Sequence, residues 1–364
     1  MSDPLHFVVP GRLDQRTGGY LYDARIVSEL RAAGVDVRVH EVPGRFPLPD
    51  AATLAALDRI LSGIPEGARV MADGLALGAS PEVAATHGRR LELVALVHHP
   101  LADETGLDDE ARNDLRDRER RVLAAAAGTI VTSPTTAERL GAFDVPADRV
   151  RVVEPGTDRA VPSPGPGLNA PPRLLCVGTV TPRKGQDLLV RALASLADRA
   201  WDCVCVGSLE RAPAFAHDVV RTAAEAGLET RIRFTGEVEP DELDAAWRAA
   251  SVFVLPSWYE GYGMALAEAV ARGLPVISTT GGAIPETVPA GAGRLVEPGD
   301  VDGLAAAIDA VITDPQLRDE MAAAARAAAL QLPDWGLQAR RFRLAVDELA
   351  TIARRRRSTP TERT

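Results

Sequence analysis

Residues 251–286, SVFVLPSWYEGYGMALAEAVARGLPVISTTGGAIPE, carry the pattern that decides the fold. The apolar run SVFVLP predicts a buried strand, and PVIST (275–279) predicts a second one. Between them, MALAEAVAR predicts a helix that ends at Gly273 and Pro275. A strand, a helix and a strand in this order form the repeating unit of a parallel sheet covered by helices. The stretch therefore predicts an α/β fold.

The same alternation extends through both halves of the chain. Short apolar runs predict further strands at residues 6–9, 35–40, 69–72, 93–97, 129–132, 149–153, 173–178, 202–207 and 231–236. Apolar residues at helical spacing, for example over 19–33 and 108–127, predict helices between them. We therefore expect two doubly wound Rossmann-like domains that face each other across a ligand cleft at the carboxyl ends of their strands.

The segment GTDRAVPSPGPGLNAPP (156–172) separates the two halves, because it is rich in Pro, Gly and Ser and has no periodicity. Pro333 precedes a long helical pattern that begins at Trp335. We predict five segments: an N-terminal domain over 1–160, a linker over 161–172, a second domain over 173–333, a helix over 334–355 that crosses back to the first domain, and a disordered tail over 356–364.

Composition excludes several classes of protein. With 364 residues, of which 46% are hydrophobic, the chain can bury the cores of two domains. A net charge of -10 argues against binding to nucleic acid, which requires clustered positive charge. Since no membrane-spanning run or signal peptide is visible, we expect a cytoplasmic protein. The three cysteines, Cys176, Cys203 and Cys205, lie in strand-like runs and should be buried, reduced thiols.

Glu260 lies in a Gly-rich turn between a buried strand and the helix that begins around Met264. The N-terminus of such a helix presents unpaired N–H groups and a partial positive charge, which suit a diphosphate or a sugar. At about 100° per residue, Glu268 lies in the second turn of the helix and shares a face with that turn. Alternatively, Glu260 is a partner of the helix dipole and Glu268 a surface residue. Because the helix is otherwise apolar, we favour binding of sugar and ribose hydroxyls.

Arg183 and Lys184 follow the strand that ends at Gly178, and Lys184 is the only lysine among 41 basic residues. A position that retains lysine where arginine prevails elsewhere favours a requirement for a compact ammonium group. Two cations at the carboxyl end of a strand can neutralise a diphosphate as it leaves. The alternative is a solvated loop, but the unique lysine favours a binding site.

These motifs resemble those of the family 4 retaining glycosyltransferases, which have the two-domain GT-B fold. The resemblance covers almost the whole chain and includes Glu260 and Glu268 with seven residues between them. Further matching stretches are PRKG (182–185), GGAIPE (281–286), GRLVEPGDVDGLAAAI (293–308), GGYLYDARIVSELRAAGVDVRV (18–39), VHHP (97–100), VTSPTTAERL (131–140) and VEPGTD (153–158).

The resemblance implies transfer of a hexose from a UDP- or GDP-sugar to an acceptor hydroxyl, with retained configuration and no obligatory cofactor or metal. It assigns catalysis to His98, Arg183, Lys184 and Glu260, with the two cations on the diphosphate. The donor would also be bound by Gly19, Ser208, Val238, Gly261, Tyr262, Gly263, Met264 and Glu268, of which Ser208 and Val238 would border the base. Acceptor contacts would come from Gly18, Tyr20 and His99.

His98 is expected at the reacting sugar, where an ordinary pKa of about 6.5 would allow either protonation state. Alternatively, both histidines merely end a strand. The sequence departs from the family pattern at Thr179, where many members carry arginine, and Arg183 is a candidate for that role. A second departure is the pair His98–His99, where one histidine is usual.

Other functions stay open at this point. A sugar phosphorylase would carry pyridoxal phosphate on Lys184. A nucleotide-sugar epimerase and a non-catalytic nucleotide-sugar-binding protein share the expected architecture, whereas a retaining glycosidase would need two carboxyl groups about 5–5.5 Å apart. The acceptor, small molecule or glycan, and the oligomeric state are undetermined. We favour a solvated tail over a lipid contact for Arg354–Arg357.

Overall fold

A computed structural model describes residues 3–167 and 170–358, apart from the side chains of residues 353 and 355–358. The chain forms two compact units. Unit 1 consists of residues up to Gly156 together with those from Trp335 onward, and unit 2 spans Thr157–Asp334. The sequence placed segment boundaries at residues 160, 172 and 333, and these finer boundaries stay predictions. Residues 359–364 of the expected tail lie outside the described part.

Unit 1 is built around a parallel sheet with the strand order β2-β1-β3-β4-β5-β6. Its strands are β1 (Leu5–Pro10), β2 (Val37–Val42), β3 (Arg69–Asp73), β4 (Glu92–Val97), β5 (Gly128–Val131) and β6 (Val150–Val152). Its helices are α1 (Gly18–Ala32), α2 (Ala51–Ser62), α3 (Gly74–Leu77), α4 (Pro81–His87), α5 (Asp109–Ala125), α6 (Pro134–Arg139) and the last helix of the chain, α14 (Trp335–Ser358).

Unit 2 contains a second parallel sheet, with the order β12-β11-β10-β7-β8-β9. Its strands are β7 (Arg173–Val177), β8 (Asp202–Val206), β9 (Ile232–Phe234), β10 (Val252–Leu255), β11 (Val276–Thr279) and β12 (Gly293–Val296). Its helices are α7 (Gln186–Ala194), α8 (Pro213–Glu225), α9 (Pro240–Ala249), α10 (Met264–Ala271), α11 (Ile284–Thr287), α12 (Val301–Thr313) and α13 (Pro315–Ala329). Short 3₁₀ turns span Leu101–Asp103, Leu140–Phe143, Ala147–Arg149 and Pro182–Lys184.

Local sequence explains where many helices begin. The side chains of Asp50, Asp108 and Ser133 accept hydrogen bonds from the first turns of α2, α5 and α6. At α9, Pro240 occupies the first turn, and Glu239 and Glu242 form a capping box. These arrangements satisfy backbone N–H groups that have no partner within the helix.

The central strands are buried on both faces, as expected for a sheet covered by helices. Every residue of β1, β4, β5 and β10 is buried. The three cysteines are free and buried, so that prediction is confirmed. No helix in the described ranges is long and apolar enough to cross a membrane.

The predicted alternation of strands and helices is confirmed, with differences at the edges. β2 runs over 37–42 instead of 35–40, since Val42 still pairs with Pro10 of β1. The edge strand β12 was not predicted, because its four residues are exposed or half-buried and lack a clear apolar pattern.

Candidate functional site

In unit 2, the predicted cations lie at the carboxyl edge of the sheet. Arg183 and Lys184 occupy a 3₁₀ turn after β7, and Gly185 ends that turn in a left-handed conformation with φ of 69°. A Cβ atom on Gly185 would lie 2.2 Å from the carbonyl oxygen of Pro256, which follows β10. Only glycine therefore allows these two segments to approach so closely. The Trp258 amide donates to the Arg183 carbonyl at 2.8 Å and joins them.

The carboxylate of Glu260 contacts both Lys184 and Arg183. Lys184 Nζ donates to Glu260 Oε1 at 2.6 Å, and Arg183 Nη1 lies 3.5 Å from Oε2. The Ser257 hydroxyl donates to the same Oε1 at 2.6 Å, while Arg183 Nη1 also donates to the Tyr259 carbonyl at 2.8 Å. The structure thus brings together three residues that the sequence analysis had assigned to one site.

The cluster is ionised although it is buried. Burial raises the pKa of Glu260, but Lys184 and Arg183 outweigh that effect and bring this pKa to about 2. Burial lowers the pKa of Lys184 against the opposing attraction of Glu260. Because two cations face one carboxylate, the cluster carries an excess positive charge. Such an excess suits an anionic ligand such as a diphosphate.

The N-terminus of α10 lies directly after this cluster. Gly263 precedes the helix in a left-handed conformation with φ of 91°, and Gly261 and Tyr262 complete the turn. Met264 is the first helical residue, as predicted. Glu268 lies one turn further along and is half-buried, and its carbonyl accepts a hydrogen bond from Arg272. The predicted role of Glu268 toward a ribose stays a prediction.

Ser208 and Val238 follow two neighbouring strands at the same edge of this sheet. The carbonyl of Ser208 accepts the Val180 amide at 2.9 Å, and the Gly207 amide donates to Gly236 at 3.0 Å. Val238 is half-buried against the core of unit 2. Thr179 is the position where many family members carry arginine. Its carbonyl accepts a hydrogen bond from Gln186 Nε2 at 3.1 Å.

In unit 1, His98 lies after β4 between two buried aspartates. His98 Nε2 is 3.2 Å from Asp23 Oδ1 on α1 and 3.4 Å from Asp73 Oδ2 at the end of β3. The ring packs edge-on against Tyr22 at 5.3 Å between centroids. A Cβ atom on Gly19 would lie 3.1 Å from His98 Cδ2, so glycine allows α1 to approach the ring. One oxygen or nitrogen atom from each of His98, Asp23 and Asp73 lies within 4.8 Å of the others.

The two aspartates change the ionisation of His98. Burial lowers the pKa of His98, but Asp23 and Asp73 reverse this effect and raise it to about 10. Burial, reinforced by the negative charge of Asp73, raises the pKa of Asp23 to about 8. Burial also opposes ionisation of Asp73, but hydrogen bonding to His98 leaves the pKa of Asp73 below its usual range. The two aspartates thus favour the protonated, cationic form of the ring.

Comparisons with known proteins show the family to which the chain belongs. The family model described as Glycosyltransferase Family 4 matches residues 22–161, and the one described as Glycosyl transferases group 1 matches residues 171–314. A GDP-mannose-dependent alpha-(1-6)-phosphatidylinositol monomannoside mannosyltransferase from Mycolicibacterium smegmatis is 30% identical over 286 residues, which cover 74% of this chain and 70% of that protein. The chain belongs to glycosyltransferase family 4.

This family 4 glycosyltransferase is also similar to a second curated relative and to a solved structure. A D-inositol 3-phosphate glycosyltransferase from Corynebacterium glutamicum is 34% identical over 198 residues, which cover 49% of this chain and 47% of that protein. Among solved structures, sucrose-phosphate synthase from Thermosynechococcus elongatus matches with a TM-score of 0.81 at 22% identity, over 96% of this chain and 100% of that one. The predicted fold of two Rossmann-like domains, GT-B, is confirmed, and so is the prediction that the chain is a glycosyltransferase.

The acceptor residues predicted for this glycosyltransferase lie in two segments of unit 1, the start of α1 and the loop after β4. The Tyr20 hydroxyl donates to the Pro10 carbonyl at 2.5 Å, and His99 Nε2 lies 3.4 Å from Glu104 Oε2. Gly18 begins α1, and a Cβ atom there would have no neighbour within 4 Å. None of these contacts tests a role toward an acceptor, so the three assignments stay predictions.

The site groups of this glycosyltransferase include three residues that the motifs did not identify as site residues. Asp23 and Asp73 contact His98, and Ser257 contacts Glu260. A sequence signal existed for Asp23, because it shares the buried face of α1 with Tyr22 and apolar residues. A carboxylate on such a face requires a partner. Asp73 is the last residue of β3 and Ser257 lies two positions after β10, where polar residues are common, so neither was singled out.

Proposed function

We propose that this glycosyltransferase moves a hexose from a nucleotide-diphosphate sugar to a sugar or polyol hydroxyl with retention of anomeric configuration. The observation that supports the donor site best is the buried cluster of Lys184, Arg183 and Glu260 beside the N-terminus of α10. GDP-mannose is the donor that we propose first, because the similar mycolicibacterial protein is named for its dependence on it. The acceptor class follows from the inositol-containing names of both relatives.

Each residue has a distinct part in this proposal. Arg183 and Lys184 bind the diphosphate and stabilise its charge as the glycosidic bond breaks. The N–H groups at the start of α10 and the carboxylate of Glu260 bind the transferred sugar. Glu268 accepts hydrogen bonds from the ribose, and Ser208 with Val238 borders the base. We propose no obligatory metal or cofactor, and cytoplasmic location stays a prediction of the sequence.

Glu260 has a second part in this assignment. It neutralises Lys184 before the donor binds, because a buried ammonium without a partner is strongly unfavourable. The ion pair at 2.6 Å also favours the charged, non-nucleophilic form of Lys184 over the free amine that a Schiff base requires. This favours diphosphate binding over the phosphorylase alternative.

Calorimetry with GDP, UDP, ADP and their sugar conjugates tests the donor site. We expect one nucleotide diphosphate to bind, and Lys184→Ala and Glu268→Ala to weaken binding at least tenfold, the loss expected for about 1.4 kcal/mol. The matched control is Glu225→Ala, which removes an exposed glutamate on α8 and should leave affinity unchanged. Absence of binding at millimolar nucleotide would contradict the proposal.

Product analysis tests the reaction itself. Incubation with GDP-mannose and inositol or mannoside acceptors should release GDP and form an α-linked product, which NMR identifies by the anomeric coupling. A β-linked product would exclude retention. Release of free sugar alone, with every acceptor, would instead indicate a hydrolase.

A further inference from the structure

The cluster of His98, Asp23 and Asp73 places two buried carboxyl groups beside one histidine ring. Asp23 is fully buried, and Asp73 is 3% exposed. A buried carboxyl group is unfavourable unless it is hydrogen-bonded, paired with a cation or protonated, so the presence of two beside one ring calls for a function or a compensating contact. In the described chain, the cation that both carboxylates contact is the ring of His98.

We propose that Asp23 and Asp73 are positioning residues that clamp His98 by its Nε2 edge and hold the ring as an imidazolium, so that Nδ1–H donates to an oxygen atom of a sugar bound to unit 1. This inference rests on the proposed function for its substrate. It assigns His98 the role of a cationic hydrogen-bond donor and excludes the role of general base.

The geometry of the ring supports this assignment. Both carboxylates approach the same nitrogen, Nε2, and Nδ1 has no hydrogen-bond partner in the described ranges. His98 retains 19% of its side-chain surface exposed, whereas Asp23 retains none. The clamped edge is therefore buried and the other edge is available to a ligand.

Among the described residues, Asp23 and Asp73 are the charged groups that contact the ring of His98. From α1 the ring meets Asp23, Gly19 and the ring of Tyr22, and from β3 it meets Asp73. After β5, the Thr132 hydroxyl donates to the His98 carbonyl at 3.2 Å and fixes the backbone. The high pKa of His98 agrees with this arrangement.

A metal site built from the same three residues is less well supported. A histidine that binds a metal through one nitrogen usually donates the other N–H to a carboxylate or a carbonyl group. His98 Nδ1 lacks such a partner among the described residues, and Asp73 Oδ1 already accepts the Leu75 amide at 2.5 Å. The clamp accounts for the approach of both aspartates to Nε2.

The decisive experiment is ¹⁵N NMR of histidine-labelled protein, with His98→Gln used to assign the signal. The clamp predicts that both ring nitrogens of His98 are protonated at about pH 8, where an ordinary histidine is neutral. In the double variant Asp23→Asn/Asp73→Asn the ring should be neutral at that pH. Each single variant should retain a partly charged ring, because one carboxylate remains. A neutral ring in the unmodified protein would overturn the clamp.

Kinetics provide the second readout. Turnover of the double variant at pH 8 should fall about 100-fold, the usual loss when a preorganised donor is removed. It should recover partly at lower pH as the ring gains a proton. The matched control is Asp58→Asn, which breaks another aspartate–histidine pair in unit 1, with His87 at 2.8 Å, and should leave turnover unchanged.

The outcomes separate the two proposals. If the unmodified protein transfers no sugar but His98 titrates as expected, the proposed function fails and the clamp stands. If transfer is normal and the double variant keeps wild-type turnover and pH dependence, the clamp fails. Stoichiometric binding of Zn²⁺ or Mn²⁺ by calorimetry, lost in the double variant, would also overturn it in favour of a metal site. Should the double variant not fold, Asp73→Asn and the NMR of the unmodified protein decide.

Discussion

Glu260 links the stability of unit 2 to ligand binding in the proposed donor site. Its carboxylate is buried between Lys184 and Ser257, and neither the cations nor the carboxylate would be stable there alone. In the proposed donor site, a nucleotide diphosphate that approaches Lys184 and Arg183 would compete with Glu260 for them. The stability of this cluster and the affinity for the ligand are therefore linked.

Glu260→Gln should lower the free energy of unfolding by about 3–5 kcal/mol at neutral pH, because it leaves two buried cations without their partner. The folded-state pKa of about 2 lies below the ordinary value of 4.5, so the stabilising effect is present above pH 4.5 and is lost as the pH falls through about 2. The difference in free energy of unfolding between the unmodified protein and Glu260→Gln should thus be about 2 kcal/mol smaller at pH 3 than at pH 6.

Urea unfolding of both proteins at pH 6 and pH 3 measures this difference in free energy. Glu225→Gln is the control, since Glu225 is an exposed partner of Arg221 on α8 and should contribute less than about 1 kcal/mol. A loss for Glu260→Gln that matches the control would show that the buried ion pair does not stabilise unit 2.

At the scale of elements, α5 supports the segment that follows the His98–His99 pair. Glu119 on α5 accepts the Leu101 amide through Oε2 at 3.0 Å, where the 3₁₀ turn begins. Its other oxygen, Oε1, is buried without a hydrogen-bond partner. Burial, together with the nearby Asp103, raises the pKa of Glu119 to about 8.

This element should therefore lose stability as the pH rises. A carboxyl group whose folded pKa exceeds its ordinary value of 4.5 is ionised more easily in the unfolded chain, so unfolding becomes more favourable between pH 4.5 and about 8. Glu119→Gln keeps the acceptor for Leu101 and removes the ionisation. At pH 8 this variant should be more stable than the unmodified protein by a few kcal/mol, with little difference at pH 4.5.

Unfolding of both proteins by urea across this pH range checks the expectation. Glu110→Gln, an exposed position in the first turn of α5, is the matched control and should leave the pH dependence unchanged. Parallel pH profiles for Glu119→Gln and the unmodified protein would contradict the assigned ionisation.

The elements also show what could be predicted from the sequence and why. Fully buried strands such as β4 and β10 are continuous apolar runs, so their positions followed from local pattern. The cluster around Glu260 was predicted because its residues fall in two short motifs. The contacts of His98 were not, since Asp23 and Asp73 lie 75 and 25 positions away in the chain and only the sheet topology brings them together.

At the scale of the whole molecule, the chain enters unit 1, leaves it at Gly156, and returns at Trp335. The returning helix α14 packs on α1, β4 and β5. Phe342 and Leu349 are fully buried, and Trp335 and Phe342 contact the ring of Tyr22. Unit 1 is therefore completed by residues far from it in sequence, whereas unit 2 is continuous.

A chain that ends at Asp334 should consequently lose folded unit 1 and keep folded unit 2. Burial of each large side chain contributes about 1.5–3 kcal/mol, so loss of Trp335, Phe342, Val346 and Leu349 together approaches the total stability of about 5–15 kcal/mol typical of a domain. Hydrogen exchange resolved by peptide should show fast exchange over β1–β6 and unchanged protection over β7–β12. Removal of residues 359–364 alone is the control and should alter neither. Because the proposed diphosphate site lies within unit 2, the shortened chain should still bind the nucleotide, and unchanged protection of unit 1 would show that α14 is dispensable for its fold.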